Sequence, residues 1–147
     1  MKRKNIIICD IDGTVANNLH RQHFLTKKKD WHNFFNHLDK DQPILKIIEK
    51  INKLDGDGFE IIFITGRPEK YRLSTTAWLE KFFQFDIKIL MRADKDRRNK
   101  VDIKKELFKK NFKSSKVYMV FENDDELCAL WQSLGLKVFK VNESDFD

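Results

Sequence analysis

Cysteine, glycine and proline are scarce in this chain, whose 147 residues include two cysteines, five glycines and two prolines. The two cysteines form no CxxC pair, so the sequence supports neither a zinc site nor a disulfide framework. Cys9 and Cys128 both lie in apolar patterns and are expected in the core, which suits a reducing, cytoplasmic setting. Linkers, repeats and low-complexity segments are also absent, which predicts a single domain over residues 1–147.

Long apolar runs are missing as well. No run approaches the roughly 20 residues that a membrane-spanning helix needs. The basic start at residues 1–4 is followed only by the short apolar run IIIC, which is too short for a secretory signal. The sequence also lacks a GxxxxGK[ST] phosphate loop, which excludes a fused kinase within this chain. We therefore expect a cytoplasmic protein that contacts no membrane.

The charge balance is basic, with 29 Lys and Arg against 23 Asp and Glu and a net charge of +6. Such an excess favours a polyanionic partner, because basic surfaces concentrate phosphate backbones around them. A solvated, lysine-rich surface is the simpler explanation of charge alone. The charge therefore permits a nucleic-acid partner without assigning one.

Short apolar runs alternate with helical patterns along the chain. The predicted strands cover residues 5–9, 59–64, 85–91, 117–121 and 136–141. The predicted helices cover residues 43–54, 69–83, 100–112 and 126–134, and residues 20–39 form a short helical excursion. This alternation predicts right-handed βαβ units in a three-layer, Rossmann-like α/β fold. A parallel sheet carries helices on both faces, and residues 18–40 form only a minimal helical cap.

Polar side chains follow the predicted strands where each one ends. Asp10 and Asp12 follow the first strand, Thr65 follows the second, and Glu122 follows the fourth. Because the carboxyl ends of parallel strands meet at one edge of the sheet, we expect these side chains to lie close together. Two carboxylates can bind magnesium, and one can attack phosphorus while the other moves protons. Each pattern alone also suits an ordinary turn, but their joint order favours a phosphate site.

The same residues resemble the four motifs of the haloacid-dehalogenase-like phosphohydrolase superfamily. These motifs are DIDGT at residues 10–14, IFITGRP at 62–68, a downstream lysine, and an acidic element after the fourth strand. Further features are similar to the 3'-phosphatase domain of polynucleotide kinase–phosphatases and its stand-alone relatives. They are Arg21, MRADKDRR at 91–98, VDIKKELF at 101–108 and LWQSLGLKVFKVNESDF at 130–146. The resemblance covers nearly the whole chain.

The resemblance implies a role for each matching residue. Asp10 would be the nucleophile and Asp12 the general acid and base, while Thr65 binds the phosphoryl group and Lys104 offsets its charge. The residues implied to bind substrate are Arg21, Gly66, Arg67 and Arg98. Those implied to hold Mg²⁺ are Asp10, Asp12 through its backbone carbonyl, Glu122 and Asn123.

The chain departs from the family pattern at its fourth motif, which is usually a pair of aspartates. Glu122 and Asn123 stand at these positions, and both still offer oxygen ligands. Asp124 and Asp125 lie just beyond and are the alternative pair. Which pair completes the metal site stays open at this point.

A second departure concerns the motif lysine. An aspartate that the family carries four residues before it is replaced by Lys100, so Lys100 and Lys104 are both candidates. We favour Lys104 from its spacing to the sequence ELF at 106–108. Together with the altered fourth motif, this change leaves a reduced activity open.

The predicted function is that of a magnesium-dependent phosphomonoester hydrolase with an aspartyl-phosphate intermediate, which removes the 3'-phosphate from DNA or RNA ends. The short connections leave no room for a large lid domain, so the site could admit a polymer end. Two alternatives remain, namely a phosphatase for small nucleotides and a catalytically weakened binding protein with the same fold. A separate kinase or ligase is a candidate partner.

Aromatic residues and histidines complete the sequence predictions. Trp31, Trp78 and Trp131 are expected to anchor the core rather than to stack on bases. For Trp31 the alternative is a position beside the site, since the excursion that contains it could border the site. The four histidines in residues 20–37 match no zinc spacing.

Overall fold

The structure is a computed structural model that describes residues 4–147. Its strands are β1 (Ile6–Cys9), β2 (Ala16–Asn17), β3 (Gln42–Pro43), β4 (Glu60–Pro68), β5 (Ile89–Arg92), β6 (Val117–Glu122) and β7 (Val138–Lys140). Its α-helices are α1 (Trp31–Asn36), α2 (Leu45–Gly56), α3 (Arg72–Glu80), α4 (Lys100–Asn111) and α5 (Asp125–Ser133). No helix within the described residues is long and apolar enough to cross a membrane.

Five of these strands form one parallel sheet in the order β5-β4-β1-β6-β7. The central strand β1 pairs with β4 on one side and β6 on the other, with Cys9 opposite both Phe63 and Phe121. The predicted α/β fold with a parallel sheet is confirmed. Asp10, the residue after β1, therefore lies at the middle of the sheet's carboxyl edge.

Apolar side chains cover both faces of the sheet. Ile7 belongs to a cluster that contains Ile47 of α2 and Trp78 of α3, while Ile8 packs with Phe108 and Trp131 on the other face. Successive residues of a strand point to opposite faces, so β1 contributes to both clusters. Both cysteines are buried in this core, as expected.

The segment predicted to form a cap, called the cap insertion below, lies between β2 and β3, which pair antiparallel at its base. It consists of 3-10 turns at Leu19–Leu25 and Leu38–Lys40 with α1 between them. Phe34 and Leu38 are buried, but Trp31 is 48% exposed, so its prediction as a core anchor was wrong. The indole of Trp31 instead packs on the rings of Phe34 and Phe35 at the surface of the insertion.

Some predicted element boundaries differ from the structure. The third strand was expected from residue 85, but β5 pairs with β4 only from Ile89 onward. Phe85 and Ile87 pack against the core from an irregular segment, so their apolar character reflects burial rather than strand pairing. Pro43 was expected to begin a helix, yet it pairs with Ala16 across the base of the cap insertion.

Candidate active site

Asp10 stands at the centre of a buried charge cluster. Its carboxylate accepts hydrogen bonds from Lys104 Nζ at 2.7 Å and from Thr14 Oγ1 at 3.0 Å, and the residue is only 7% exposed. Lys104 Nζ also donates to Glu122 Oε1 at 3.1 Å. One ammonium thus serves two carboxylates in a setting with little water.

Burial and the neighbouring charges shift the pKa of both Asp10 and Lys104. Burial raises the pKa of Asp10 well above its ordinary value, and the negative charge of Glu122 raises it further, against the opposing influence of Lys104. For Lys104, burial opposes the charge, but Asp10 and Glu122 together raise its pKa above the ordinary value. Lys104 is therefore charged at neutral pH, and a cation beside Asp10 would lower the pKa of its carboxyl group and favour the ionised form.

Asp12 lies in an opposite electrostatic environment. Its carboxylate accepts from Arg67 Nε at 3.0 Å and Nη2 at 2.7 Å, and from Arg21 Nη2. Burial raises the pKa of Asp12, but the two guanidinium groups outweigh burial and hold that pKa far below its usual range. Asp12 is accordingly ionised in this structure.

Both arginines are buried and are held by a further carboxylate, Asp41. Arg21 Nε and Nη2 each donate to Asp41 at 2.8 Å, and Arg67 Nη2 lies 3.5 Å from it. The backbone carbonyl of Asp41 accepts from the indole of Trp78 at 2.9 Å. We call Arg21, Arg67 and Asp41, which together hold Asp12, the arginine clamp. Phe34 of the cap insertion covers it, with its ring 4.4 Å from the Arg21 guanidinium carbon.

Sequence reasoning missed Asp41, and it expected Arg21 and Arg67 to contact substrate. In this structure their guanidinium groups donate to Asp12, and Arg67 also donates to Thr75 at 3.0 Å. Two buried arginines that converge on one aspartate need a second carboxylate, but that convergence is visible only in the structure. Asp41 lies just before the helical pattern that contains α2, but no sequence motif marks it.

The second motif lies beside this clamp, on β4. Thr65 is buried, and its hydroxyl accepts from the backbone N–H of Arg67 at 3.1 Å. The carbonyl of Gly66 accepts from Arg92 Nε at 2.9 Å, and Arg92 Nη1 donates to the Arg98 carbonyl at 2.6 Å. The Arg98 side chain is exposed, and it pairs with acidic residues of its own loop and of α4 rather than with the clamp.

The structure also separates the two candidate lysines and the two candidate acidic pairs. Lys104 contacts Asp10, whereas Lys100 forms an ion pair with Asp124. Asp124 also caps α5 by accepting the N–H of Leu127 at 3.0 Å. Asp125 is exposed and pairs with Lys140. Both members of the alternative acidic pair are therefore engaged away from Asp10.

Glu122 and Asn123 differ in their availability to a metal ion. Glu122 accepts from Lys104, from the Trp131 indole at 3.2 Å and from the backbone N–H groups of Asn123 and Asp124. Its oxygens are thus largely occupied. The Asn123 side chain lies against Gly13, with Nδ2 2.2 Å from the position that a Cβ on Gly13 would take. Any larger residue at position 13 would clash there.

The oxygen donors that remain suit Mg²⁺ with fewer carboxylates than usual. They are the carboxylate of Asp10, the backbone carbonyl of Asp12 and the amide of Asn123, all oxygen ligands of the type that this ion prefers. Across residues 4–147, no three side chains of His, Cys, Asp and Glu form a cluster that could hold a metal ion. The carboxylate of Asp12 is not part of such a cluster, because it faces Arg21 and Arg67.

Comparisons with known proteins identify the family of this chain. The family model described as the polynucleotide kinase PNKP phosphatase domain matches residues 4–146. A curated relative, described as a bifunctional polynucleotide kinase/RNA ligase of Autographa californica nuclear polyhedrosis virus, is 30% identical over 141 residues. The match covers 92% of this chain but only 19% of that relative.

Solved structures give the same result. A chain of a Pnkp1/Rnl/Hen1 complex matches with a TM-score of 0.77 and 26% identity, over 97% of this chain and 47% of that chain. The class C acid phosphatase of Bacillus anthracis shares the fold, with a TM-score of 0.65 and 15% identity over 100% of this chain and 74% of that one. The protein belongs to the family of polynucleotide kinase PNKP phosphatase domains and is a phosphatase.

Proposed function

We propose that this phosphatase removes the 3'-phosphate from polynucleotide ends through a phosphoryl group carried on Asp10. The observation that carries the proposal is the contrast between two neighbouring carboxylates. Asp10 faces one shared ammonium, and Asp12 faces two guanidinium groups. Such separated environments suit a nucleophile and a proton-transfer group that act in sequence.

In the first step, a carboxylate oxygen of Asp10 attacks phosphorus and the bond from phosphorus to the 3'-oxygen breaks. Lys104 and the Thr65 hydroxyl stabilise the negative charge on the phosphoryl oxygens. Asp12 gives a proton to the leaving alcohol. The arginine clamp holds the pKa of Asp12 low, but a bound phosphate dianion adds negative charge beside it and raises that pKa towards the range where donation is possible.

In the second step, Asp12 takes a proton from a water molecule that attacks the phosphorus of the aspartyl phosphate. The acyl–phosphate bond breaks, inorganic phosphate leaves, and Asp10 is restored as a carboxylate. The arginine clamp favours this step, because ionised Asp12 is the form that accepts a proton. Mg²⁺ held by Asp10, the Asp12 carbonyl and Asn123 would supply positive charge against the phosphoryl oxygens.

The choice of a polynucleotide end rests on family membership and on the small insertion over the site. We propose that residues 18–40 act as a minimal cap that leaves space for a polymer. Similar proteins are described as a kinase/ligase and as part of a Pnkp1/Rnl/Hen1 complex, and this chain spans less than half the length of each. A separate kinase or ligase is therefore a proposed partner. The two buried free thiols suit action in the cytoplasm.

The test compares a 3'-phosphorylated oligonucleotide, a 5'-phosphorylated one and a 3'-mononucleotide, each with Mg²⁺ and with a chelator. We expect Mg²⁺-dependent release of phosphate, with the highest kcat/KM on the 3'-phosphorylated oligonucleotide. Its advantage over the mononucleotide should shrink as salt rises, because phosphate contacts release counterions. Equal kcat/KM on both at every salt concentration would instead assign a phosphatase for small nucleotides.

A further inference from the structure

A cavity of about 480 Å³ lies next to Gly13, in the turn that follows Asp12. Its walls come from that turn, from the start of the cap insertion, and from the segments after β6 and β7. Six of its wall residues are Gly13, Asn18, Leu19, Gln22, Asn123 and Phe146. The volume lies within the roughly 300–1,000 Å³ that small-molecule sites occupy. Gly13 lies between Asp12 and Thr14, and the Thr14 hydroxyl donates to Asp10, so a group attached to a phosphate on Asp10 can extend into the cavity.

The walls are rich in unpaired carboxamides. The side chains of Asn18, Gln22 and Asn123 form no hydrogen bond with any residue in the range 4–147, and all three are half-buried. A carboxamide carries two donors and an acceptor with two lone pairs, and therefore matches the edges of nucleobases. These three carboxamides are therefore free to hydrogen-bond a polar ligand in place of water.

The charges of the walls disfavour a second phosphate in the cavity. Lys140 lines it but pairs with Asp125, and Glu143 adds a further negative charge. Leu19 is 46% exposed and Phe146 is half-buried, so both offer apolar surface to a flat ring. The walls therefore suit a neutral group that both forms hydrogen bonds and stacks.

We propose that this cavity, the amide cavity, binds the nucleoside of the terminal nucleotide while its 3'-phosphate lies at Asp10. This inference rests on the proposed function and adds a contact with the terminal base. Asn18 and Gln22 hydrogen-bond the base or sugar, and Leu19 and Phe146 pack against the ring. The backbone phosphates further along the strand lie outside the amide cavity.

The test uses two oligonucleotides that are identical except that one has an abasic 3'-terminal nucleotide, and both carry the 3'-phosphate. We expect kcat/KM to be at least about tenfold higher with the base present, as stacking energies imply. This ratio should not change with salt, because the contacts in the amide cavity are to a neutral group.

Variants of the cavity wall test whether Asn18 and Gln22 cause the preference for a terminal base. Asn18→Ala and Gln22→Ala should each lower the ratio several-fold towards one. Asn111→Ala removes an exposed carboxamide on α4, outside the amide cavity, and should keep the wild-type ratio. Circular dichroism of each variant checks that the fold is retained, and the abasic substrate serves as the internal reference for rate.

Each contrary result has a distinct meaning. Equal kcat/KM on the two oligonucleotides would overturn the amide cavity as a base site and leave the proposed function standing. A base preference that survives in both wall variants would also overturn it, since the base would then be recognised elsewhere. Hydrolysis of p-nitrophenyl phosphate without hydrolysis of either oligonucleotide would defeat the proposed function itself.

Discussion

Asp10 and Asp12 lie two residues apart in one turn, yet their surroundings have opposite effects. Around Asp10, burial and the neighbouring carboxylate of Glu122 outweigh the single Lys104, and the pKa of Asp10 is raised. Around Asp12, two buried arginines meet two carboxylates, and its pKa is lowered. The comparison teaches that the partners supplied by distant parts of the chain, rather than residue type, decide what each aspartate can do.

The largest effect is expected when Asp10 itself is replaced. Asp10→Asn keeps the shape of the side chain but removes the nucleophile, so turnover should fall by at least about three orders of magnitude. Phosphate release from a 3'-phosphorylated oligonucleotide measures this. A substantial residual rate in a preparation free of other phosphatases would exclude the covalent mechanism.

Substitution of two arginines tests whether the buried ion pairs around Asp12 stabilise the fold. Arg21→Met leaves Asp12 and Asp41 short of a buried partner and should lower the free energy of unfolding by about 3–5 kcal/mol. Arg98→Met is the matched control, because the Arg98 side chain is exposed and its loss should change stability little. Denaturant unfolding of both variants gives the answer. Equal losses would mean that the arginine clamp does not stabilise the fold.

The proposed metal site beside Asp10 can be tested by adding a ligand rather than by removing one. Asn123→Asp adds a carboxylate where the chain has only an amide, and should raise Mg²⁺ affinity by about tenfold. Calorimetric titration of the free enzyme measures this, with Asn111→Asp as the control for added charge at a remote site. An unchanged affinity would show that residue 123 does not contact the ion.

The smallest effect concerns stability and pH. An aspartate whose pKa is raised by folding destabilises the native state once pH exceeds its ordinary pKa near 4, and increasingly so up to the raised value of about 8. Without Mg²⁺, Asp10→Asn should therefore raise Tm by about 3 °C or more at alkaline pH, and the gain should vanish near pH 4. Calorimetric scans across this range check the sign. A gain that grows as pH falls would mean that the pKa of Asp10 is not raised.

Features with a local pattern could be predicted from the sequence. The strands at Ile6–Cys9 and Val117–Glu122 were found within one residue because they are continuous apolar runs, and α4 and α5 begin at capped ends. The two-residue strands β2 and β3 were missed, since so short a segment has no periodicity. For the same reason the paired base of the cap insertion could not be foreseen.

The candidate site likewise contains residues that the sequence predicts and one, Asp41, that it does not. The residues at the strand ends follow from motif order, and the structure places Asp10, Lys104 and Glu122 in one cluster. The role of Asp41 could not be predicted, because it depends on ion pairs with residues 20 and 26 positions away. Contacts of that kind depend on packing, which a single sequence does not specify.

The central claim is that phosphate passes through Asp10, and trapping tests it most directly. A reaction with a 3'-phosphorylated oligonucleotide is quenched in acid, reduced with borohydride and digested for mass spectrometry. The account predicts homoserine at position 10, formed from the aspartyl phosphate, in the wild type and none in Asp10→Asn. Steady turnover with an unmodified Asp10, or with the label on another residue, would contradict it.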